Sequence, residues 1–316
     1  MAISNAVNQS AVARVVGVEE QYRNQNQGGV LMPIQVGVIG QGSSAATYTT
    51  DPIQLTSQAD VGNTFGFGSP LHRAALQLLP DNNDGVGSIP VWFFPLQDDG
   101  SGVAAAGDIT PSGVTQTETA SYIVRINNVD SQAFIIPAGT ITVATITAAM
   151  TAAINANINM PVVATDNTTD VGIAAKWKGV SSNSLFIEII ESAAAGTSFA
   201  ITQPTGGLVN PDVDVALNQI GEEFIQLLIN CMESTDTTTL TKFSTAGEGR
   251  WTPTIHKPFV SFVGNTDASV NTAITIPSSR KLDRINSQLV NPGSRDLPFE
   301  VAARQVARIA KLADSN

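Results

Sequence analysis

The sequence predicts an α/β fold, α+β taken overall: a discontinuous core with a mostly parallel sheet, a β-rich insert, and an extended arm in front. Three observations predict it. Apolar runs of strand length alternate with helical patterns both before residue 100 and after residue 207. Between them lie short β-branched segments cut by Gly, Asn, Ser and Asp clusters. The first 27 residues are polar with scattered Val and Ala and carry no helical stripe. The expected division is an arm over 1–27, a core from 28–100 and 207–316, and a β-sandwich or barrel-like insert over 101–206.

In the first core section, Pro33 to Gly40 (PIQVGVIG) is an apolar run closed by glycine, the pattern of a buried strand. Ser69-Pro70 opens a helix, because serine caps free N–H groups and proline suits the first helical position. Leu71, Ala74, Ala75, Leu78 and Leu79 follow at helical spacing. Asn82-Asn83-Asp84-Gly85 is a turn, and Ile89 to Leu96 is a second strand. The insert reads as strands over 121–129, 132–136, 171–177, 185–190 and 198–201, with one helix from Thr145 to Asn157. The last section alternates helices (213–222, 236–246, 267–275, 298–312) with strands (224–231, 258–264, 282–290). Strands alternating with helices predict parallel pairing covered on both faces.

Charged residues are 14% of the chain, against about 25% in an average soluble protein. Thr, Ser, Asn, Gln and Ala fill the deficit, a surface suited to meeting other protein. The net charge is −11, which argues against a nucleic-acid binder. Ten basic and six acidic side chains lie from Lys242 onward, so the first 241 residues carry −15. An acidic body with a basic end can attract a copy of itself head to tail, whereas the plain alternative is a solvated asymmetry. Cys231 is the one cysteine and reads as a small buried hydrophobe. Met1–Ser10 (MAISNAVNQS) has no secretory pattern, and no apolar window reaches membrane length, so a soluble product of a reducing cytoplasm is expected.

The sharpest enzymatic candidate is Gly40-Gln41-Gly42-Ser43-Ser44-Ala45, which has the G-x-G-x-x-A spacing of a dinucleotide loop after a strand. That mechanism needs a helix to begin there, and Ala46 to Pro52 is β-branched and reads as a loop. His72 and His256 show no metal-ligand spacing, and His72 reads as a partly exposed helix residue. The carboxylates Asp98-Asp99, Asp212/Asp214 and Glu222-Glu223 sit at turns and helix starts, where capping explains them. No catalytic, cofactor or metal residue is assigned. Arg304, Arg308 and Lys311 line one flank of the last helix, with Arg295 just before it. An interface role fits their place in the basic end, and a solvated, dipole-favoured flank is the alternative.

Read in order, the segments resemble contractile phage tail sheath proteins of the Mu-like type. LTSQADVGNTFGFGSPLHRAALQLLPDN (55–82) and VWFFPLQDDGSGVAAAGDIT (91–110) look like the front of that family. YIVRINN (122–128), TITAAMTAAINAN (145–157), PVVAT (161–165) and AAKWKGVSSNSLFIEI (174–189) follow in family order. So do GGLVNPDVDVALNQIGEEFIQLLIN (206–230), RWTPTIHKPFVSFVG (250–264) and FEVAARQVARIAKLADSN (299–316).

The resemblance implies a structural subunit, not an enzyme, with no cofactor. Such subunits stack as six-fold rings around a tail tube, join baseplate and terminator proteins, and contract to drive the tube through a host envelope for genome ejection. It further implies assembly in the host cytoplasm, residence in the virion, and no nucleic-acid contact or membrane insertion. A phage-derived injection system or bacteriocin sheath is the alternative setting, and a dinucleotide enzyme using Gly40 to Ala45 a distant one. In the family, extended arms add strands to a neighbour's sheet, so the arm here, with Val12, Arg14, Val16 and Val18, is the matching element. The insert is expected to face outward. Family members continue past the equivalent of Ala313-Asp314-Ser315-Asn316 into a further domain of roughly 150 residues, so that half of the linkage is expected to be missing.

Overall fold

The computed structural model describes residues 34–80, 85–192 and 196–314, with the side chain of 314 excepted. The arm expected over 1–27, with Val12, Arg14, Val16 and Val18, lies outside these residues, as do Asn82, Asn83 and Asp84 of the expected turn.

A six-stranded sheet is assembled from both ends of the chain. Its members are β1 (Val36–Gln41), β2 (Ile53–Gln54), β3 (Val91–Leu96), β14 (Leu227–Asn230), β15 (Val260–Asn265) and β16 (Asn286–Val290), in the order β16-β15-β14-β1-β3-β2. All pairings are parallel except β2 with β3. Val36 is opposite Leu227 on one side and Val91 on the other. Every residue of β1 is buried, as its unbroken apolar run requires of a central parallel strand.

Helices α1 (Gln58–Phe65) and α2 (Pro70–Leu78) lie between β2 and β3 in sequence. Ser69 caps α2 as expected, its hydroxyl accepting from the His72 N–H at 3.3 Å. Helix α1 was not among the expected elements, and Gly62 lies within it. Glycine stands there because the Phe67 ring would lie 2.5 Å from a Cβ.

Residues 106–205 form antiparallel sheets. One has the order β10 (Val162–Asp166), β11 (Val171–Ala175), β4 (Ala106–Ser112), β13 (Ser198–Thr205). In the other, β6 (Ala120–Ile126) pairs with β7 (Val129–Asp130), β8 (Phe134–Ile136) and β12 (Ile187–Glu191). A two-stranded ribbon, β5 (Thr115–Gln116) with β9 (Gly139–Thr140), and helix α3 (Val143–Ala156) complete the section. The sheets meet where Tyr122 packs edge-on against Phe199, ring centroids 5.3 Å apart. The strand pairings do not close, so the barrel alternative is corrected.

Helix α4 (Asp214–Gln219) precedes β14, and α5 (Thr237–Arg250) follows it, capped by Asp236, which accepts from the Thr239 N–H at 3.0 Å. The helix expected over 267–275 is two short pieces, α6 (Val270–Ala273) and α7 (Thr275–Ser279). Pro277 explains the break, because its ring opposes the carbonyl four residues earlier, that of Ala273. The strand expected from Leu282 starts at Asn286. Asp283 holds a turn there, accepting from the N–H groups of Ile285 and Asn286 at 3.0 and 3.1 Å. The last helix, α8 (Pro298–Asp314), buries Phe299, Ala302, Ala303, Val306 and Ala310 against β14, β15 and α2. Ile309 is only partly buried.

Candidate functional site

Folding separates the four basic candidates near the last helix. Arg295 places its guanidinium 3.9 Å above the Phe186 ring and 3.3 Å from the Glu188 carboxylate. Arg304 donates to both oxygens of the buried Asp296 at 2.8 and 3.2 Å, and to Gln77 at 3.1 Å. Asn128 donates to the same Asp296 carboxylate. Arg295 and Arg304 therefore tie α8 to the β6 and β12 sheet within one chain. Arg308 and Lys311 are exposed one and two turns further on. The i, i+4, i+7 spacing is real, but its half-exposed first member is paired with a buried carboxylate that the sequence reading did not single out. Asp296 two residues before a helix was the available signal, since acidic groups gather at helix N-termini.

The Gly40–Ala45 loop has the sequence spacing of a phosphate cradle and a different chemistry. Gly40 and Gln41 complete β1, and among the described residues no helix starts before Gln58. Its amides are engaged by protein acceptors: Gly42 donates to the Tyr48 hydroxyl at 2.9 Å, Ser43 to the Phe65 carbonyl at 2.7 Å, and Ser44 to the Lys176 carbonyl at 2.7 Å. A dinucleotide needs such donors free at the strand ends where sheet order reverses. Here β1 lies between β3 and β14, and Gln41 at its end donates to Asp98 and, at 2.8 Å, to the Lys178 carbonyl. Burial of the Tyr48 phenol raises its pKa to about 12, so it stays a neutral donor to the Leu96 carbonyl at 2.9 Å.

Two further expectations are corrected. His72 is buried, not partly exposed. Its Nδ1 accepts from the Gly68 N–H at 3.1 Å, and its ring meets Phe67 edge-on. Burial first, then the Arg73 and Lys176 charges, lowers its pKa to about 4, so the imidazole is neutral. Nor does capping account for most of the paired carboxylates. Asp98 latches Gln41 and Ser44, Asp212 and Asp214 both hold Lys242, and Glu222 pairs with Lys257. Asp99 and Asp212 do close local turns, accepting from Ser101 and Asp214 N–H groups at 2.7 and 2.9 Å. Cys231 is buried, as expected, and burial pushes its thiol pKa far up, which keeps it inert.

Among the described residues no group of His, Cys, Asp and Glu could hold a metal ion, and no helix is long and apolar enough to cross a membrane.

Over 208 residues, 64% of this chain, the sequence is 26% identical to a Mu-like prophage FluMu tail sheath protein of Haemophilus influenzae. The chain is similar in sequence to a Mu-like tail sheath protein. The match spans 41% of that relative's length, so the tail-sheath relationship rests on part of it. No family model matches the chain. A solved structure, the sheath tail protein from Listeria innocua, aligns over 88% of this chain and 56% of its own at 13% identity, with a TM-score of 0.34. That structural score is too low to argue a shared fold. The sequence relationship is to a structural component, not to an enzyme, in keeping with the engaged amides of the Gly40–Ala45 loop.

Proposed function

We propose that this chain is a subunit of a contractile tail sheath, polymerising as stacked six-fold rings around a tail tube and contracting to drive the tube through a host envelope. The observation that carries this reading is the 208-residue match to a tail sheath protein. The physics asked of such a subunit is a bistable packing interface: each copy stays nearly rigid while its contacts slide, and small energies sum over many copies. Continuity through that sliding needs an extended linker, and residues 1–27, with Val12, Arg14, Val16 and Val18, are the proposed strand donor to a neighbour's sheet. On the body, Arg308 and Lys311 are the basic residues proposed for contact with an acidic neighbour, since Arg295 and Arg304 already hold partners. The section over 101–206 is proposed to face outward from the ring, with tube, baseplate and terminator proteins as the other partners.

Electron microscopy of the purified chain tests the assembly: striated hollow tubes are expected. Deleting the first ~20 residues should leave a folded body that no longer polymerises. Normal tubes from the deleted chain would remove the strand-donor role.

A further inference from the structure

Two surface features lie at opposite ends of the six-stranded sheet. At the end where its parallel strands begin, residues 251–257 link α5 to β15. Trp251 is 61% exposed there and Ile255 45% exposed. The loop is nevertheless held from beneath. The Arg250 guanidinium donates to the carbonyls of Lys257, Gly221 and Glu223, and the Lys257 N–H returns a bond to the Arg250 carbonyl at 3.0 Å. The Lys257 ammonium adds a bond to the Glu222 carbonyl at 2.6 Å. A tryptophan on a pre-ordered loop loses little freedom when covered, and tryptophan is among the commonest anchors of protein interfaces.

At the end where the strands finish, the loop after β1 and the α3–β10 connection border a groove of about 420 Å³. Ala45, Ala46, Phe67, Ile158 and Val163 line it, and Lys176 is its one charged lining residue. Ile158 and Val163 are 56% and 47% exposed. The Lys176 ammonium donates to the Phe67 and Ile158 carbonyls at 2.9 and 3.0 Å, and no carboxylate pairs with it among the described residues. A half-buried cation without a counter-charge is suited to an aromatic face. A phosphate is a poor occupant, because the neighbouring amides of residues 42–44 already have protein acceptors.

We propose that Trp251 of one copy seats in this groove of a second copy, with Ile255 beside it and the Lys176 ammonium against the indole. The proposal rests on the sheath-subunit reading and names one contact that such a polymer uses. Charge argues for a second copy as the occupant. Glu223 and Glu248 are exposed near the Trp251 loop, whereas the groove's charged group is a cation. Because knob and groove sit at opposite ends of one sheet, the contact is heterologous and repeats head to tail, making rings or filaments instead of a closed pair.

Sedimentation velocity on the full chain tests this with Trp251→Ala on the knob side and Ile158→Asp on the groove side. Both positions are more than half exposed, and Val163→Asp serves as a second groove variant should Ile158→Asp misfold. Each variant alone is expected to self-associate at least ~10-fold more weakly than the wild type. An equimolar mixture should restore pairing at wild-type affinity without growth beyond it, since each mixed pair has one intact knob and one intact groove. Wild-type association that both variants retain at full strength, or a mixture that regains nothing, overturns the contact and leaves the sheath reading standing. A wild-type chain that stays monomeric at every concentration overturns both.

Discussion

Burial decides what individual side chains do in this molecule, and His72 shows it most directly. Its neutral ring accepts the Gly68 amide, in a left-handed turn with φ of 82° where a Cβ would strike the Met160 carbonyl oxygen at 2.1 Å. Protonation would remove that acceptor and place a cation beside Arg73 and Lys176. The folded-state pKa, about 4, lies below the ordinary 6.5, so the unfolded chain binds more protons between those values. Stability from this group is complete above pH 6.5 and is lost as pH falls toward 4, by about 3 kcal/mol. Chemical denaturation across that window should show the wild type losing this much more than His72→Gln. Parallel slopes for the two proteins would mean that the imidazole is not the titrating group. Lys176 runs in the same direction at higher pH: burial lowers its pKa to about 8, so its contribution to stability rises from pH 8 towards its ordinary 10.5.

Elements were legible where one local signal was enough. The Ser69-Pro70 cap, the β1 apolar run and the amphipathic α8 each state their structure within a few residues. Elements that depend on distant partners were not: α1 is a helix that tolerates Gly62 because the Phe67 ring occupies its side, and β4 reads as a strand only between β11 and β13. Likewise the pairing of Arg304 depends on Asp296, Asn128 and Gln77, which no spacing rule brings together. The docking of α8 shows how exacting such long-range fits are. A Cβ at Gly264 on β15 would fall 1.8 Å from the Pro298 carbonyl oxygen, a backbone atom that moves only with the helix. Gly264→Ala should cost about 3 kcal/mol of stability. Gly249→Ala, in α5 with open space around it, should instead gain about 0.5 kcal/mol. Equal effects at the two glycines in urea unfolding would show that helix docking does not set the cost.

For the molecule as a whole, the question is how the central β-rich section is coupled to the six-stranded sheet. The ties are specific and of three kinds. Gln41 donates to the Lys178 carbonyl at 2.8 Å, Ser44 N–H to the Lys176 carbonyl at 2.7 Å, and Ser184 to Glu233 at 3.0 Å, joining the ends of β1 and β14 to the β-rich section. Trp177, fully buried, meets Phe299 of α8 edge-on at 6.2 Å. Arg295 and Asp296, adjacent in sequence, reach Phe186, Glu188 and Asn128 on the β6 and β12 side. A subunit that transmits force as a nearly rigid body needs such cross-ties, because sections that open independently would absorb the movement. The Arg295/Asp296 pair is the tie most open to surgical removal. Asp296 is buried, and its loss takes a bond from Asn128 and leaves Arg304 with Gln77 as its remaining partner. In an Arg295→Ala/Asp296→Ala variant, amide exchange in β6 and β12 should accelerate by at least ~10-fold, equivalent to about 1.4 kcal/mol of local opening. Protection in β1 and β3, which lie across the sheet from these contacts, should stay unchanged. A uniform acceleration through both sheets would instead show that the pair supports global stability, and the coupling would then have to reside in the bonds of Gln41 and Ser44 to the Lys178 and Lys176 carbonyls and in the Trp177–Phe299 contact.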